Sequence, residues 1–261
     1  MLALRVATAI IGGPAVLLAA WWGGIPLVAF CLMVSAAGIE EMSNMLALKG
    51  IGVSRPVAHA LQVVCLSLFY YNDVTLWCLF PAAAAIVTLS IPVFGRRWSE
   101  IPRAGATLLA VMYIPYLLGH LILIRNLPDG GRMVVFALAI TWATDTAAYF
   151  AGTRLGRRKL CPELSPKKSW EGAAAGLAAG TAIACLLGPW VGVTVTAAAA
   201  VGLAASFLAE VGDLFESALK RYTGVKDSGR IIPGHGGALD RFDSLLFSAP
   251  VVYWLIRLIK L

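Results

Sequence analysis

Apolar residues run along this chain in long blocks, and polar residues gather in the short gaps between them. A bilayer's hydrocarbon core is about 30 Å thick and takes roughly 20 apolar residues to cross as a helix. On that rule the blocks predict helices over approximately 6–22, 25–47, 57–71, 74–94, 107–124, 133–151, 170–189, 191–212 and 243–259, the third of them short. Backbone polar groups find no water in hydrocarbon, so a chain of this pattern satisfies them inside helices. The expected fold is all-α: a polytopic integral membrane protein with about nine transmembrane helices. The first block, MLALRVATAIIGGPAVLLAAWW, has the outline of a secretory signal. Its charged region is weak and the second block follows at once, so a retained first helix is expected. Prolines in TLSIPVFG and between Tyr113 and Pro115 are expected to mark kinks or helix ends.

Composition agrees with the pattern. Of 261 residues, 59% are hydrophobic and 13% charged, about half the charged share of a soluble domain. The net charge of +7 lies in the gaps, where it reads as a topology signal; nucleic-acid binding is not expected. With the N-terminus and Arg5 inside, the gaps after the second, fourth, sixth and eighth blocks are cytoplasmic. They carry Lys49 and Arg55; Arg96, Arg97 and Arg103; Arg154, Arg157, Arg158, Lys159, Lys167 and Lys168; and Lys220, Arg221, Lys226 and Arg230. The opposite gaps carry only Arg125 and Arg132, although Arg257 and Lys260 fall on the outer side. The five cysteines have no CxxC spacing, which argues against a zinc site or a disulfide framework.

A few polar residues interrupt the blocks. Glu40 and Glu41 near the end of the second are expected to reach the headgroup region. Asp145 lies well inside the sixth, where a carboxylate must face protein, water or a cation; Trp142, Asp145 and Tyr149 share one helical face. In the following gap, GTRLGRRKLCPELSPKKSWEG lacks P-loop spacing. Ser165-Pro166 there suits a helix start, with Lys167 and Lys168 in its first turn and available to hold a phosphate. Gly172, Gly176 and Gly180 form a small-residue stripe for helix packing, within the chain or in a dimer.

The densest polar stretch is Glu210 to Asp243, EVGDLFESALKRYTGVKDSGRIIPGHGGALDRFD. The eighth helix is expected to continue to about Tyr222, with Glu210, Asp213, Ser217 and Lys220 in one stripe and Glu216 beside it. Residues 223–237 are too rich in glycine to be helical throughout, and Gly-His-Gly-Gly suits an anion nest. Asp240 and Asp243 stand near the start of the last helix, where acids favour the helix dipole. With Asp213 they are also hard oxygen ligands for Mg²⁺. Carboxylates for a metal beside basic groups for phosphates fit phosphoryl or nucleotidyl transfer.

The run SALKRYTGVKDSGRIIPGHGGALDRFD resembles the signature of the phosphatidate cytidylyltransferase (CDP-diacylglycerol synthase) family. Its fixed positions are filled by Ser217, Lys220, Arg221, Lys226, Asp227, Gly229, Pro233, His235, Gly236, Gly237, Asp240, Arg241 and Asp243. ATDTAAYFAG, SPKKSWEG and EVGDLFES also resemble family segments; the first 100 residues are only generically similar. The resemblance implies that CTP and phosphatidate give CDP-diacylglycerol and pyrophosphate, with Mg²⁺, in a homodimer of the bacterial inner (plasma) membrane; Asp145 adds an expected place for a second cation, and the charge pattern puts the N-terminus in the cytoplasm. It assigns metal binding to Asp213, Asp240 and Asp243; Lys220 and Arg221 join the catalytic set as cations expected to neutralise triphosphate or lipid phosphate. Lys167, Lys168, Ser217, Lys226, Asp227, His235, Gly236, Gly237, Arg241 and Asp145 become substrate-binding candidates. Residues 1–105 form an expected N-terminal transmembrane region and 106–261 a catalytic one. A lipid kinase using CTP, an archaeal-type lipid cytidylyltransferase and a transporter are the competing expectations.

Overall fold

A computed structural model describes residues 13–231 and 236–260; residues 1–12, 232–235 and 261 lie outside the described residues. The start of the first expected helix therefore lies outside them, as do Gly234 and His235 of the anion-nest expectation. The described helices are α1 (Gly13–Trp22), α2 (Gly24–Ala47), α3 (Arg55–Tyr71), α4 (Val74–Phe94), α5 (Ile101–Val111), α6 (His120–Arg125), α7 (Gly130–Leu155), α8 (Trp170–Leu187), α9 (Val195–Thr223) and α10 (Leu239–Lys260). Seven described helical segments are long and apolar enough to cross a membrane. One of them, Trp98–Arg125, joins α5 and α6 through a π-helical turn at Met112–Tyr116. Pro115, which lacks an N–H, sits in that turn, so the expected proline irregularity is a local widening of a continuous helix. The third expected span is helical but has 17 residues; the first has ten described helical residues, Gly13–Trp22. Both fall short of the length that the other seven reach.

The expectation of a helix start at Ser165-Pro166 is corrected. Ser165–Ser169 is β2, paired antiparallel with β1 (Lys159–Cys161) in a two-stranded ribbon. The helix begins five residues later, at Trp170. Ser169, whose hydroxyl accepts from Gly172 N at 3.1 Å, is its cap. Glu171 accepts from the backbone N–H groups of Arg157 and Arg158, which ties the ribbon's entry to the same helix start. Lys167 and Lys168 thus stand on a strand, free of the unfavourable dipole that a first helical turn would impose on a cation.

The C-terminal half packs on glycine. In α8, Gly172 and Gly176 lie against Ala148 and Gly152 of α7, and Gly180 meets Thr144 of α7 and Ser206 of α9. The small-residue stripe therefore closes contacts within the chain, with α8 between α7 and α9. A Thr144–Ser206 hydrogen bond of 2.8 Å crosses the stripe. The α9 helix has 29 residues, about 44 Å at 1.5 Å per residue, some 14 Å more than the hydrocarbon core needs. Its last turns, from Glu216 to Thr223, extend it beyond that length and end at Gly224, in the left-handed conformation (φ 81°). The expected extension to about Tyr222 is observed, and no described residue between 224 and 238 is helical.

The basic connections meet at one end of the bundle. Arg221 at the end of α9 donates to Leu164 O in the α7–α8 connection at 3.2 Å. Lys49, after α2, lies over the Tyr222 ring. Ser54, before α3, donates its N–H to Thr107 Oγ1 of α5 at 2.9 Å.

Candidate active site

The site is built where α7, β2, α9 and α10 come together at that end. Lys168 reaches from β2 to α9 and pairs with Asp213 Oδ2 at 2.9 Å and Glu210 Oε2 at 3.3 Å. Asp213 and Glu210 stand three residues apart on one helical face, so one ammonium serves both. Burial pulls the Lys168 ammonium down, but the two carboxylates beside it outweigh that and hold it above the usual lysine value. Asp145 from α7 accepts from Ser244 Oγ of α10 at 2.9 Å. Lys168, Asp213, Glu210 and Asp145 line a cleft of about 240 Å³ with Lys167, Ser165, Tyr149, Gly152 and Gly172. Asp145 and Tyr149 face it as expected; Trp142, on the same helical face, is exposed outside its lining.

Asp243 approaches from the other side. A Cβ at Gly212 would run into the Asp243 carbonyl oxygen. The glycine therefore lets α10 lie close against α9 at the level of Asp213. Asp243 accepts from Ser244 N at 2.8 Å and lies within reach of the charges of Asp213, Glu216 and Asp145. Ser217 donates to Asp213 Oδ1 at a long 3.5 Å.

Asp240 belongs to a separate, closed knot. Its Oδ1 accepts from Lys220 Nζ at 2.6 Å, and Lys220 also pairs with Glu216 one turn back on α9. Its Oδ2 accepts from Ser228 N at 2.9 Å, Ser228 Oγ at 3.0 Å and Gly237 N at 2.9 Å. Ser228 and Gly237 flank the glycine-rich segment that precedes α10, so Asp240 closes its neck. Gly236, at φ 88°, takes a conformation that a side chain would strain, and a Cβ there would press on the Asp240 carboxylate.

Of the remaining expected residues, Arg221 is turned away from the cleft: Nη1 donates to Val225 O at 2.9 Å, beside its bond to Leu164 O. Lys226, Asp227 and Arg241 are exposed around the loop. His235 lies outside the described residues.

The expectation that Glu40 and Glu41 reach the headgroup region is corrected for Glu41, which is buried. Glu40 pairs with Arg55 at 3.0 Å and His59 at 2.9 Å. Glu41 is 2% exposed and accepts from Ser228 Oγ, Ala238 N and Leu239 N. Adjacent helical residues point about 100° apart, so the doublet splits between a rim pair and the neck of the loop. Two glutamates in an apolar block were the only local signal, and nothing in the doublet says which one is buried.

The arrangement puts carboxylates in excess over cations around an open cleft, with a second lysine at its rim. The model of the cytidylyltransferase family matches residues 3–259. The chain belongs to that family. A phosphatidate cytidylyltransferase from Brucella suis biovar 1 (strain 1330) is 37% identical over 259 residues, covering 95% of this chain and 91% of the relative. One from Bacillus subtilis (strain 168) is 41% identical over 178 residues, 67% of this chain and 66% of the relative. One from Staphylococcus saprophyticus subsp. saprophyticus (strain ATCC 15305 / DSM 20229 / NCIMB 8711 / NCTC 7292 / S-41) is 32% identical over 237 residues, 88% and 89% of the two chains. The cytidylyltransferase match takes in both the cleft and the knot, and it extends through α2, where Glu41 stands.

Proposed function

We propose that this integral membrane protein is a phosphatidate cytidylyltransferase, converting CTP and phosphatidate to CDP-diacylglycerol and pyrophosphate in phospholipid synthesis. The observation that carries the reading is the cleft itself, with Lys168 held between Asp213 and Glu210, and Lys167 and Asp145 beside it. It stands in a family member whose full-length relatives bear that name. The four basic connections gathered at one end support a cytoplasmic site and a cytoplasmic N-terminus in a bacterial inner membrane. Residues 1–105 then form the supporting region and 106–261 the catalytic one, with about nine membrane passages when the two shorter helices are counted. A homodimer is part of the same reading.

Among the described residues, no group of three or more His, Cys, Asp or Glu side chains is arranged to hold a metal. The donor chemistry nevertheless suits a hard cation: Asp145, Glu210, Asp213 and Asp243 outnumber the one lysine that reaches them. Asp213 and Asp243 would hold Mg²⁺, with Asp145 toward a second cation; Asp240 joins them only by releasing Lys220 or a donor at the loop neck. When bound, such an ion supplies charge neutralisation along the triphosphate.

The protein's own groups do the rest. A phosphate monoester is largely ionised at neutral pH, by comparison with phosphoserine's second pKa of about 6, so phosphatidate attacks the α-phosphorus of CTP without a strong general base. Lys167 and Lys168 meet phosphate charge, and the helix ends fix the direction of approach. The test is the purified protein with phosphatidate, Mg²⁺ and CTP labelled at the α- or the γ-phosphate. Cytidylyl transfer puts only the α-label into lipid. Appearance of the γ-label in lipid would make the protein a kinase, and phosphate flux into liposomes without nucleotide would make it a transporter.

A further inference from the structure

We infer that Glu41, on a helix far from the signature in sequence, is a positioning residue for the reaction: it caps α10 from outside and so sets where that helix presents Asp243. The inference rests on the placement of Asp213 and Asp243 at the reacting phosphates. The residue before α10 is Ala238, which has no side-chain acceptor for the free N–H groups of a helix start. Glu41 provides one across the bundle, accepting from Ala238 N at 2.8 Å and Leu239 N at 2.9 Å.

Its Oε2 also accepts from Ser228 Oγ at 2.9 Å, and Ser228 binds Asp240 as well. Two carboxylates thus grip both ends of the glycine-rich loop. The same carboxylate explains two small positions, since a Cβ at Gly229 or Gly237 would strike it. A buried acid without a cation is costly unless its oxygens are filled; here a helix N-terminus and a hydroxyl fill them, and the dipole favours the charge. Asp243 stands one turn after this cap. A tilt or a slip of the first turn moves it relative to Asp213, on the helix that does not depend on Glu41.

The experiment uses the full chain in nanodiscs with phosphatidate, CTP and Mg²⁺, comparing Glu41→Gln, Ser228→Ala and Asp243→Asn with the parent. Glutamine keeps the shape but turns an NH₂ toward an N–H, so the cap is broken without a cavity. Per folded molecule, Glu41→Gln should lower kcat by about tenfold or more, the scale of loss that sub-ångström to ångström misplacement produces. KM for CTP and for phosphatidate should stay within about twofold, because the cleft residues that meet the substrates are untouched. Ser228→Ala should give a smaller fall in kcat with the same unchanged KM. A normal kcat per folded molecule in Glu41→Gln, with Asp243→Asn inactive, overturns the positioning role and leaves the site assignment standing. Near-normal turnover in Asp243→Asn overturns both. Should Glu41→Gln fail to fold, Ser228→Ala decides: an unchanged kcat in it overturns the inference.

Discussion

The cleft and the knot hold the same residue types, lysines and carboxylates from α9 and its neighbours, yet they differ in how completely each charge is used. In the knot, six donors serve two carboxylates: Lys220 Nζ, Ser228 N and Gly237 N on Asp240, Ala238 N and Leu239 N on Glu41, and the single Ser228 hydroxyl proton shared between them. Four of these six donors are backbone N–H groups that cannot move without unfolding the loop or the helix start. In the cleft, Asp213 and Glu210 share one flexible lysine, Asp145 has a serine, and the cavity between them is open. A saturated polar cluster fixes geometry; an unsaturated one retains capacity for a ligand. On this reading the knot builds the site and the cleft does the chemistry.

The largest effect should come from breaking the knot. Lys220→Met leaves Glu216 and Asp240 facing each other with side-chain exposures of 0% and 7%. Removing one partner of a buried ion pair costs about 3–5 kcal/mol, so the variant should lose most of its thermal stability in detergent, followed by melting of the purified protein. A stable Lys220→Met that cannot turn over would break the comparison, because Lys220 would then belong to the chemistry.

Asp213→Asn should do the opposite. It removes a charge from a group that keeps room for ligands, so melting should shift little while turnover falls by at least about 100-fold, the scale seen when a group stabilising developing charge is deleted. Asp240→Asn sharpens the contrast. As a neck residue it should melt early and keep some turnover per folded molecule; as a metal ligand it should be as dead as Asp213→Asn at full stability. Lys168→Met should cost less, about tenfold in kcat/KM, since Lys167 stays in the cleft. Its sign with pH follows from the raised lysine value: the Lys168 ammonium keeps its charge up to the usual lysine value of about 10.4 and loses it only as pH rises through the raised one. The ratio of parent to Lys168→Met activity should therefore be flat between about pH 6 and pH 9.

What the sequence shows of this site follows the range of the interactions. The long helices are legible because apolar length is a local property, and the extension of α9 follows from Glu210, Asp213, Ser217 and Lys220 keeping helical phase past the apolar block. The stop at Gly224 and the absence of helix among the described residues that follow it are legible from the glycines there. The strand at Ser165–Ser169 is misread because Ser-Pro is a good helix start by itself; the cap that wins, Ser169, has the same chemistry four residues on, and the ribbon depends on a partner strand. Glu41 is invisible because its role depends on contacts nearly 200 residues away and on helix phase within an acid doublet. The difference in contacts between Asp213, on the cleft, and Asp240, at the loop neck, is likewise tertiary. Asp213 stands in EVGDLFES and Asp240 in the signature run, and neither segment says which carboxylate the loop neck takes up.

The smallest effect should come from Lys167, and it tests the cleft alone. Its neighbour Lys168 is committed to two acids, whereas Lys167 lies exposed on the strand and still lines the cavity. An exposed ammonium adds little to folding, so Lys167→Ala should melt like the parent. Its worth appears only when a phosphate arrives: a single charge-assisted contact at a partly wet rim contributes about 1 kcal/mol, or roughly a fivefold rise in KM for one substrate. Saturation curves for CTP and phosphatidate, measured separately, identify which phosphate it meets. A rise for phosphatidate alone puts the lipid headgroup on the ribbon side of the cleft, with CTP between α9 and α10. A rise for CTP alone reverses that order, and parent-like curves for both would remove the ribbon from substrate binding and confine the chemistry to the helices.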